Sequence, residues 1–277
     1  MNPRPISDQE FAQFQRFIFD AAGITLSSAK KALVTGRLAR RLEHCQVDSY
    51  GAYLRLLMSG TVPGEVQIAV DQLTTNETYF FREMKHFDFL REQALAAKSR
   101  GQPFRVWSAA SSSGEEAYSI AMVLADCIET TPWEVVGSDI STKVLEGASR
   151  ALYSNERGRH IPPAYLRRFC LKGSGAYAGH LLIERSLRSR VRFLQVNLNT
   201  ALPEMGQFDI VFLRNVLIYF SDDTKRQVVT RVISGIKPGG HFFIGHSESL
   251  NGINNSVEAL FPSIYRKPSS HAQTPRQ

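Results

Sequence analysis

A chain of 277 residues with 43% hydrophobic and 21% charged residues has ordinary globular composition, which excludes a disordered or fibrous class and allows one α/β domain with a small companion. It has no run of eighteen apolar residues, and its start, MNPRPISDQE, has no basic segment leading into an apolar one. Neither membrane insertion nor secretion is therefore expected, and the expected location is cytoplasmic. The net charge of +7 is concentrated between Arg150 and Arg192, where ten basic residues face two acidic ones, a pattern of either simple solubility or docking to an acidic partner.

Ser7 followed by Glu10 forms a capping box, and Ile6 with Phe11 forms a hydrophobic staple. Phe11, Phe14, Phe17, Ile18 and Ala21 then recur at helical spacing, so a helix is expected over 8–22, stopped by Gly23. Further helical patterns cover 30–42, 50–58 and 65–73, and no strand pattern precedes Phe104. Residues 1–75 thus read as a small all-helical domain, and 76–103 as a linker with a connecting helix. From Phe104, short apolar runs (FRVWSAA, EVVGSDI, VRFLQVN, FDIVFLRN, HFFIGHSE) alternate with helical stretches, the pattern of a parallel sheet covered on both faces. The expected fold class is α/β, Rossmann-like, over 104–266. Residues from about 153 to 190 break the rhythm with Pro162, Pro163 and four glycines, and read as an inserted small antiparallel β-subdomain. Residues 267–277 read as a disordered tail. Cys45, Cys127 and Cys170 are far apart and lack CxxC spacing, so neither a disulfide framework nor a metal site is expected.

Ligands of doubly wound sheets sit beyond the carboxyl ends of the strands. There the first strand runs into SSSGEEAYS, whose Gly114 permits close backbone approach, and the second ends in Asp139, placed to hydrogen-bond a ribose. Taken alone, these two features fit an ordinary turn and an Asp N-cap equally well, because GxGxxG is missing. Glu115 and Glu116 at the helix start would compete with a pyrophosphate for the same amides. They suit a cationic amino group, which favours S-adenosylmethionine over a dinucleotide.

Together, DQLTTNETYFFRE, WSAASSSGEEAYSIAM, SDI, VNL, FLRNVLIYF and KPGGHFFIGHSE resemble the chemotaxis receptor methyltransferase (CheR) family, in its order, over about 6–266. The resemblance implies a glutamate O-methyltransferase that uses S-adenosyl-L-methionine and leaves S-adenosyl-L-homocysteine. It implies that Asn76, Thr78 and Arg82, from the linker and first helix, close over the cofactor. Ala110 and Glu116 would hold its methionine end, Asp139 its ribose, and Asn197 with Leu198 its adenine region. Arg214, Asn215 and Tyr219 would line the methyl-transfer side, with Arg82 and Tyr219 positioning the substrate. Asn76 and Thr78 also suit helix caps, and Tyr219 an ordinary core aromatic. An unpaired Arg214 in an apolar strand would be costly, which favours a functional role for it. His246 reads as a structural histidine.

A glutamate carboxylate is already anionic at neutral pH, so the expected task is orientation, without a general base or covalent intermediate. The implied substrate is a glutamate of a chemoreceptor cytoplasmic domain. Lys30, Lys31, Arg37, Arg40 and Arg41, on one predicted helix, form either a docking face for its acidic region or a solvated face. LRRFCLKGSGAYAGHLLI keeps the spaced glycines Gly173, Gly175 and Gly179 of family members that capture a receptor C-terminal pentapeptide by strand addition. It departs at LLI, where an additional arginine is expected. A monomer is expected. The enzymatic rival, a nucleic-acid methyltransferase suggested by a pI of about 9.4, conflicts with RNVLIYF where an NPPY-like motif would stand, so no nucleic-acid partner is expected. The non-enzymatic rival is a module that binds the cofactor as a sensor.

Overall fold

The computed structural model describes residues 5–128 and 130–269; residues 270–277 of the expected tail lie outside the described residues. Local chemistry starts the chain as anticipated. Helix α1 (Asp8–Ala22) has Ser7 as its N-cap, with the Ser7 hydroxyl accepting from the Glu10 amide and the Glu10 carboxylate accepting from the Ser7 amide at 2.8 Å. Gly23, at φ 73°, closes it in the left-handed region. Helices α2 (Lys31–His44), α3 (Tyr50–Ser59) and α4 (Glu65–Leu73) pack with α1 around Phe14, Ile18, Leu38 and Tyr53.

Two of the basic side chains read as an outward face, docking or solvated, turn inward instead. Arg41 pairs with the buried Glu65 at 2.6 Å, and Arg37 donates to the Thr74 carbonyl oxygen at 2.8 Å. They tie α2 to α4 and to the linker, because a buried carboxylate and the free carbonyls at a helix end need donors. Lys30 and Arg40 remain exposed.

After α5 (Lys85–Ser99), the chain lays down β1 (Phe104–Ala109), α6 (Glu115–Cys127), β2 (Trp133–Asp139) and α7 (Thr142–Arg150). The insert follows, with β3 (Leu152–Ser154), α8 (Pro163–Phe169), β4 (Cys170–Lys172), β5 (His180–Ile183) and α9 (Arg185–Arg188). The chain then returns through β6 (Val191–Gln195), β7 (Phe208–Leu213), α10 (Asp222–Ser234) and β8 (Ile236–Ile244), and ends in β9 (Glu258–Phe261) and β10 (Ile264–Arg266). The main sheet has the order β6-β2-β1-β7-β8-β10-β9, and the insert is a separate antiparallel sheet, β3-β5-β4.

Five strands of the main sheet are parallel, but β10 runs antiparallel to both β8 and β9, so the sheet is mixed. Side chains of β7 alternate between faces. Ile210 and Phe212 enter the core under α5 and α6, and Val211 and Leu213 enter the core under α10. Burial on both faces explains why these strands read as continuous apolar runs.

Candidate active site

The chain builds β1, β2 and β6 outward in one direction, then crosses back to place β7 on the other side of β1. At this switch the loops after β1 and β7 diverge, and a cleft of about 860 Å³, counting its open mouth, lies beyond the strand ends. The structure brings every residue expected at the site to this cleft. Across the sheet come Asn197 and Leu198 after β6, Asp139 at the end of β2, Ala110 after β1, and Arg214 and Asn215 after β7. Glu116 from α6 completes the floor, and Asn76, Thr78, Arg82 and Tyr219 close the mouth. Arg82 sits in a bend before α5 rather than on that helix, its guanidinium 5.5 Å above the Tyr79 ring.

Arg214 is the electrostatic hub. Its side chain is 2% exposed, and its guanidinium meets Glu116 at 2.8 Å, Glu83 at 2.9 Å and the Arg82 carbonyl oxygen at 2.6 Å. Two carboxylates and a carbonyl thus compensate one buried cation. Burial alone would raise the Glu83 carboxyl, but the Arg214 charge overrides it and holds Glu83 below its ordinary value. The second oxygen of Glu116 accepts from the Ser108 hydroxyl at 2.7 Å. Glu115, expected to share Glu116's role, points the other way and pairs with Arg157, so only one of the two acids faces the cleft.

Asp139 is not the cap of α7. Its carboxylate accepts from the amides of Ser112 at 2.9 Å and Ser141 at 3.0 Å, and burial raises its pKa despite them. The cap of α7 comes instead from the helical domain. Asp71 of α4 accepts from the Thr142 hydroxyl at 2.8 Å and from its amide at 3.1 Å.

The helical domain also supplies a wall that periodicity could not reveal. Ala22 and Ile24 line the cleft, the Thr25 amide donates to the Tyr219 carbonyl oxygen at 2.8 Å, and the Asn197 amide group donates to that of Ala21 at 2.7 Å. Ser112 ties the linker down by donating to the Asn76 carbonyl oxygen at 2.9 Å. Backbone strain is gathered here too. Phe81, Glu83, Ala110, Ser112 and Asn215 all hold φ between 49° and 62°, the left-handed region that side chains normally avoid.

Glu248, inside the GHSE segment, received no role in the sequence reading. Its carboxylate accepts from the amides of Gly245 at 2.7 Å and of Asn215 and Leu217 at 2.8 Å, so it clamps the loop after β7 to the end of β8. An acid three residues after a strand-end glycine was its only signal.

From one side to the other, the cleft offers an acid (Glu116), a buried acceptor (Asp139), and an amide flanked by apolar Ile140, Val196 and Leu198. This order of chemistries fits a ligand with an ammonium, a sugar diol and a flat heterocycle, as in S-adenosylmethionine. Residues 76–265 match the family described as "CheR methyltransferase, SAM binding domain", and residues 9–74 match "CheR methyltransferase, all-alpha domain". The chain belongs to the CheR methyltransferase family. This CheR-family chain is 39% identical over 265 residues to the chemotaxis protein methyltransferase of Escherichia coli (strain K12), covering 94% of this chain and 91% of that one. It is 38% identical over 260 residues to chemotaxis protein methyltransferase 2 of Pseudomonas aeruginosa, covering 93% and 92%. It is therefore an S-adenosylmethionine-dependent methyltransferase of the chemotaxis type, with the helical domain and the α/β domain of its family. Among the described residues, no helix is long and apolar enough to cross a membrane.

Proposed function

We propose that the protein methylates the side-chain carboxylate of specific glutamates on the cytoplasmic domain of a chemoreceptor, forming esters that tune signalling adaptation. Glu116 receives the cofactor's ammonium beside Ala110, Asp139 its ribose, and Asn197 with Leu198 its adenine. Asn76, Thr78, Arg82, Arg214 and Asn215 enclose it. When bound, S-adenosylmethionine supplies a sulfonium-activated methyl group.

The disposition of charge in the cleft supports this reading most directly. Of the carboxylates lining the cleft, Glu116 is committed to Arg214 and Asp139 to backbone amides, and Glu77 lies exposed at the mouth. Neither inner carboxylate is free to take a proton from an amine or hydroxyl substrate, and a carboxylate substrate needs no such step. Donors wait at the mouth. Arg82 is half-buried there, and burial, with the charge of Glu77, raises the Tyr219 phenol, so it stays protonated and able to donate. Arg82 and Tyr219 orient the incoming carboxylate, a grip that must stay loose enough not to stabilise the ground state.

Labelled methyl transfer to a panel of receptor cytoplasmic fragments is expected to yield product whose label alkali releases as methanol. Alkali-stable label, as on a nitrogen, overturns the carboxylate reading. Absence of transfer with intact cofactor binding favours the sensor reading. Arg82→Ala is expected to lower turnover by roughly 10–100-fold, the worth of one charge-assisted hydrogen bond. Near wild-type turnover by folded protein removes Arg82 from the site.

For the receptor contact, Lys30 just before α2 and Lys31 and Arg40 on it remain at the surface or in an exposed pair, with Lys31 2.7 Å from Asp8. In the insert, β5 is central and β3 and β4 are edge strands, of which β4 is the more exposed, so a receptor C-terminal pentapeptide adds alongside β4. Gly173 serves the turn itself, since a Cβ there would lie 2.0 Å from the Tyr177 carbonyl oxygen. Calorimetry with the pentapeptide tests this contact, and no heat at high micromolar peptide removes it. The protein acts in the cytoplasm as a monomer, on protein rather than nucleic acid.

A further inference from the structure

Behind Arg214, on the side away from the cleft, Glu83, His86 and His246 converge, and each offers a ligand atom within 4.8 Å of the others. The contacts of Ser263 favour one tautomer of His86. Its Nε2 lies 2.8 Å from the Ser263 hydroxyl, which in turn lies 2.6 Å from the Pro262 carbonyl oxygen. A carbonyl can only accept, so the serine proton goes there, and the serine oxygen must accept from His86. The imidazole proton therefore sits on Nε2. That leaves Nδ1 with a bare lone pair, on a side chain 1% exposed, and with no hydrogen-bond partner among the described residues.

Oε2 of Glu83 lies 3.5 Å from Nδ1, is also an acceptor and also lacks a hydrogen-bond partner among the described residues. Arg214 stands 2.9 Å from the same oxygen, but its donated hydrogen bonds go to Glu116 and to the Arg82 carbonyl oxygen. Two buried acceptors facing each other are unfavourable unless something positive lies between them. His246 completes the set, with Nε2 3.7 Å from Glu83 Oε2 on a half-exposed ring that is free to turn.

We propose that Glu83, His86 and His246 form a site for a borderline divalent transition metal of the zinc class. Ligand atoms bound to a tetrahedral zinc at about 2.0–2.1 Å stand about 3.4 Å apart, close to the 3.5 and 3.7 Å that separate Glu83 Oε2 from the two imidazoles. Two imidazoles and one carboxylate suit zinc or cobalt rather than magnesium or calcium, which demand oxygen. The outer contact is present as well, because Ser263 holds the ring of His86 in the tautomer that frees Nδ1. Access comes through a surface cavity lined by Asp88, Glu92 and Lys85 together with His86, His246 and Ser263, so its rim carries more acid than base. The opposing factor is the Arg214 charge on Oε2, which weakens a cation there and couples the metal to the residue that holds Glu116.

The test uses the full chain, prepared without a histidine tag and stripped with a chelator. Titration with Co²⁺ is expected to bind one equivalent with the intense visible absorption of low-coordinate cobalt, and Zn²⁺ is expected to displace it. His246→Ala changes only a half-exposed ring, and circular dichroism can verify its fold. It should abolish that equivalent. No bound equivalent at about millimolar Co²⁺, or an equivalent that persists in folded His246→Ala, overturns the site.

Discussion

Arg214 shows how a single side chain can serve both stability and function. Its guanidinium is shared by Glu83 and Glu116, and removing it leaves two poorly solvated carboxylates without a counter-charge. Arg214→Met is expected to cost about 3–5 kcal/mol, the usual penalty for breaking a buried pair from one side, read as a lower urea midpoint. The same variant should lose measurable binding of S-adenosylhomocysteine in calorimetry, because Glu116 is no longer positioned. A different residue sets an acid limit. His241 in β8 is 9% exposed, and burial, with Arg266 opposite on β10, pushes its imidazole down to about 4, against the weaker opposing pull of Asp209, itself paired with Lys237. A depressed histidine stays neutral in the folded chain and charges once unfolded. The stability it contributes is thus complete above its ordinary value of 6.5 and is lost as pH falls towards 4. Between pH 7 and pH 5 the loss amounts to about 2 kcal/mol. Urea midpoints at the two pH values should differ by correspondingly less in His241→Gln, and an unchanged difference assigns the acid sensitivity to other groups.

At the scale of elements, the loop after β7 depends on the carboxylate of Glu248, which satisfies three backbone amides with two oxygens. Glutamine would keep one acceptor oxygen and aim an NH₂ at N–H donors, so Glu248→Gln should cost about 2 kcal/mol of stability. It should also lower turnover more than cofactor affinity, since it loosens Asn215 and the approach to Tyr219. Equal kcat with lower stability would make the clamp purely structural. Most elements were legible because local chemistry writes them: the Ser7–Glu10 box, the apolar runs of the buried strands, and the SSSGEE turn, whose Gly114 sits at φ 93° with Ala148 only 2.8 Å from where a Cβ would be. The β9–β10 hairpin was not legible. Its first strand, EALF, is only four residues long and wholly exposed, so its short apolar stretch has no alternation to mark it as a strand. Asp139 and the turn after β1 were found because strand ends are where such sites lie, and the other cleft residues because their motifs resemble those of the CheR family. Asp71, Ala22 and Ile24 were missed because their roles exist only once the helical domain docks, which no local pattern encodes.

For the whole molecule, the +7 charge and the buried cleft predict opposite responses to salt. S-adenosylhomocysteine is a zwitterion with no net charge, and its anchors are enclosed: Asp139 is 6% exposed and Glu116 is paired with Arg214. Its affinity should therefore barely change between about 0.05 and 0.5 M salt, because short buried contacts are little screened. Encounter with an acidic receptor domain is different, since it draws on exposed cations of α2 and on the basic stretch that includes the insert. Charges acting across solvent fade over about 8–10 Å at physiological ionic strength, so the Michaelis constant for receptor should rise severalfold over the same range while kcat holds. A Michaelis constant as salt-insensitive as the cofactor affinity would mean that the receptor is held by apolar or backbone contacts. The charge excess would then serve solubility alone, and strand addition at β4 would become the principal docking contact.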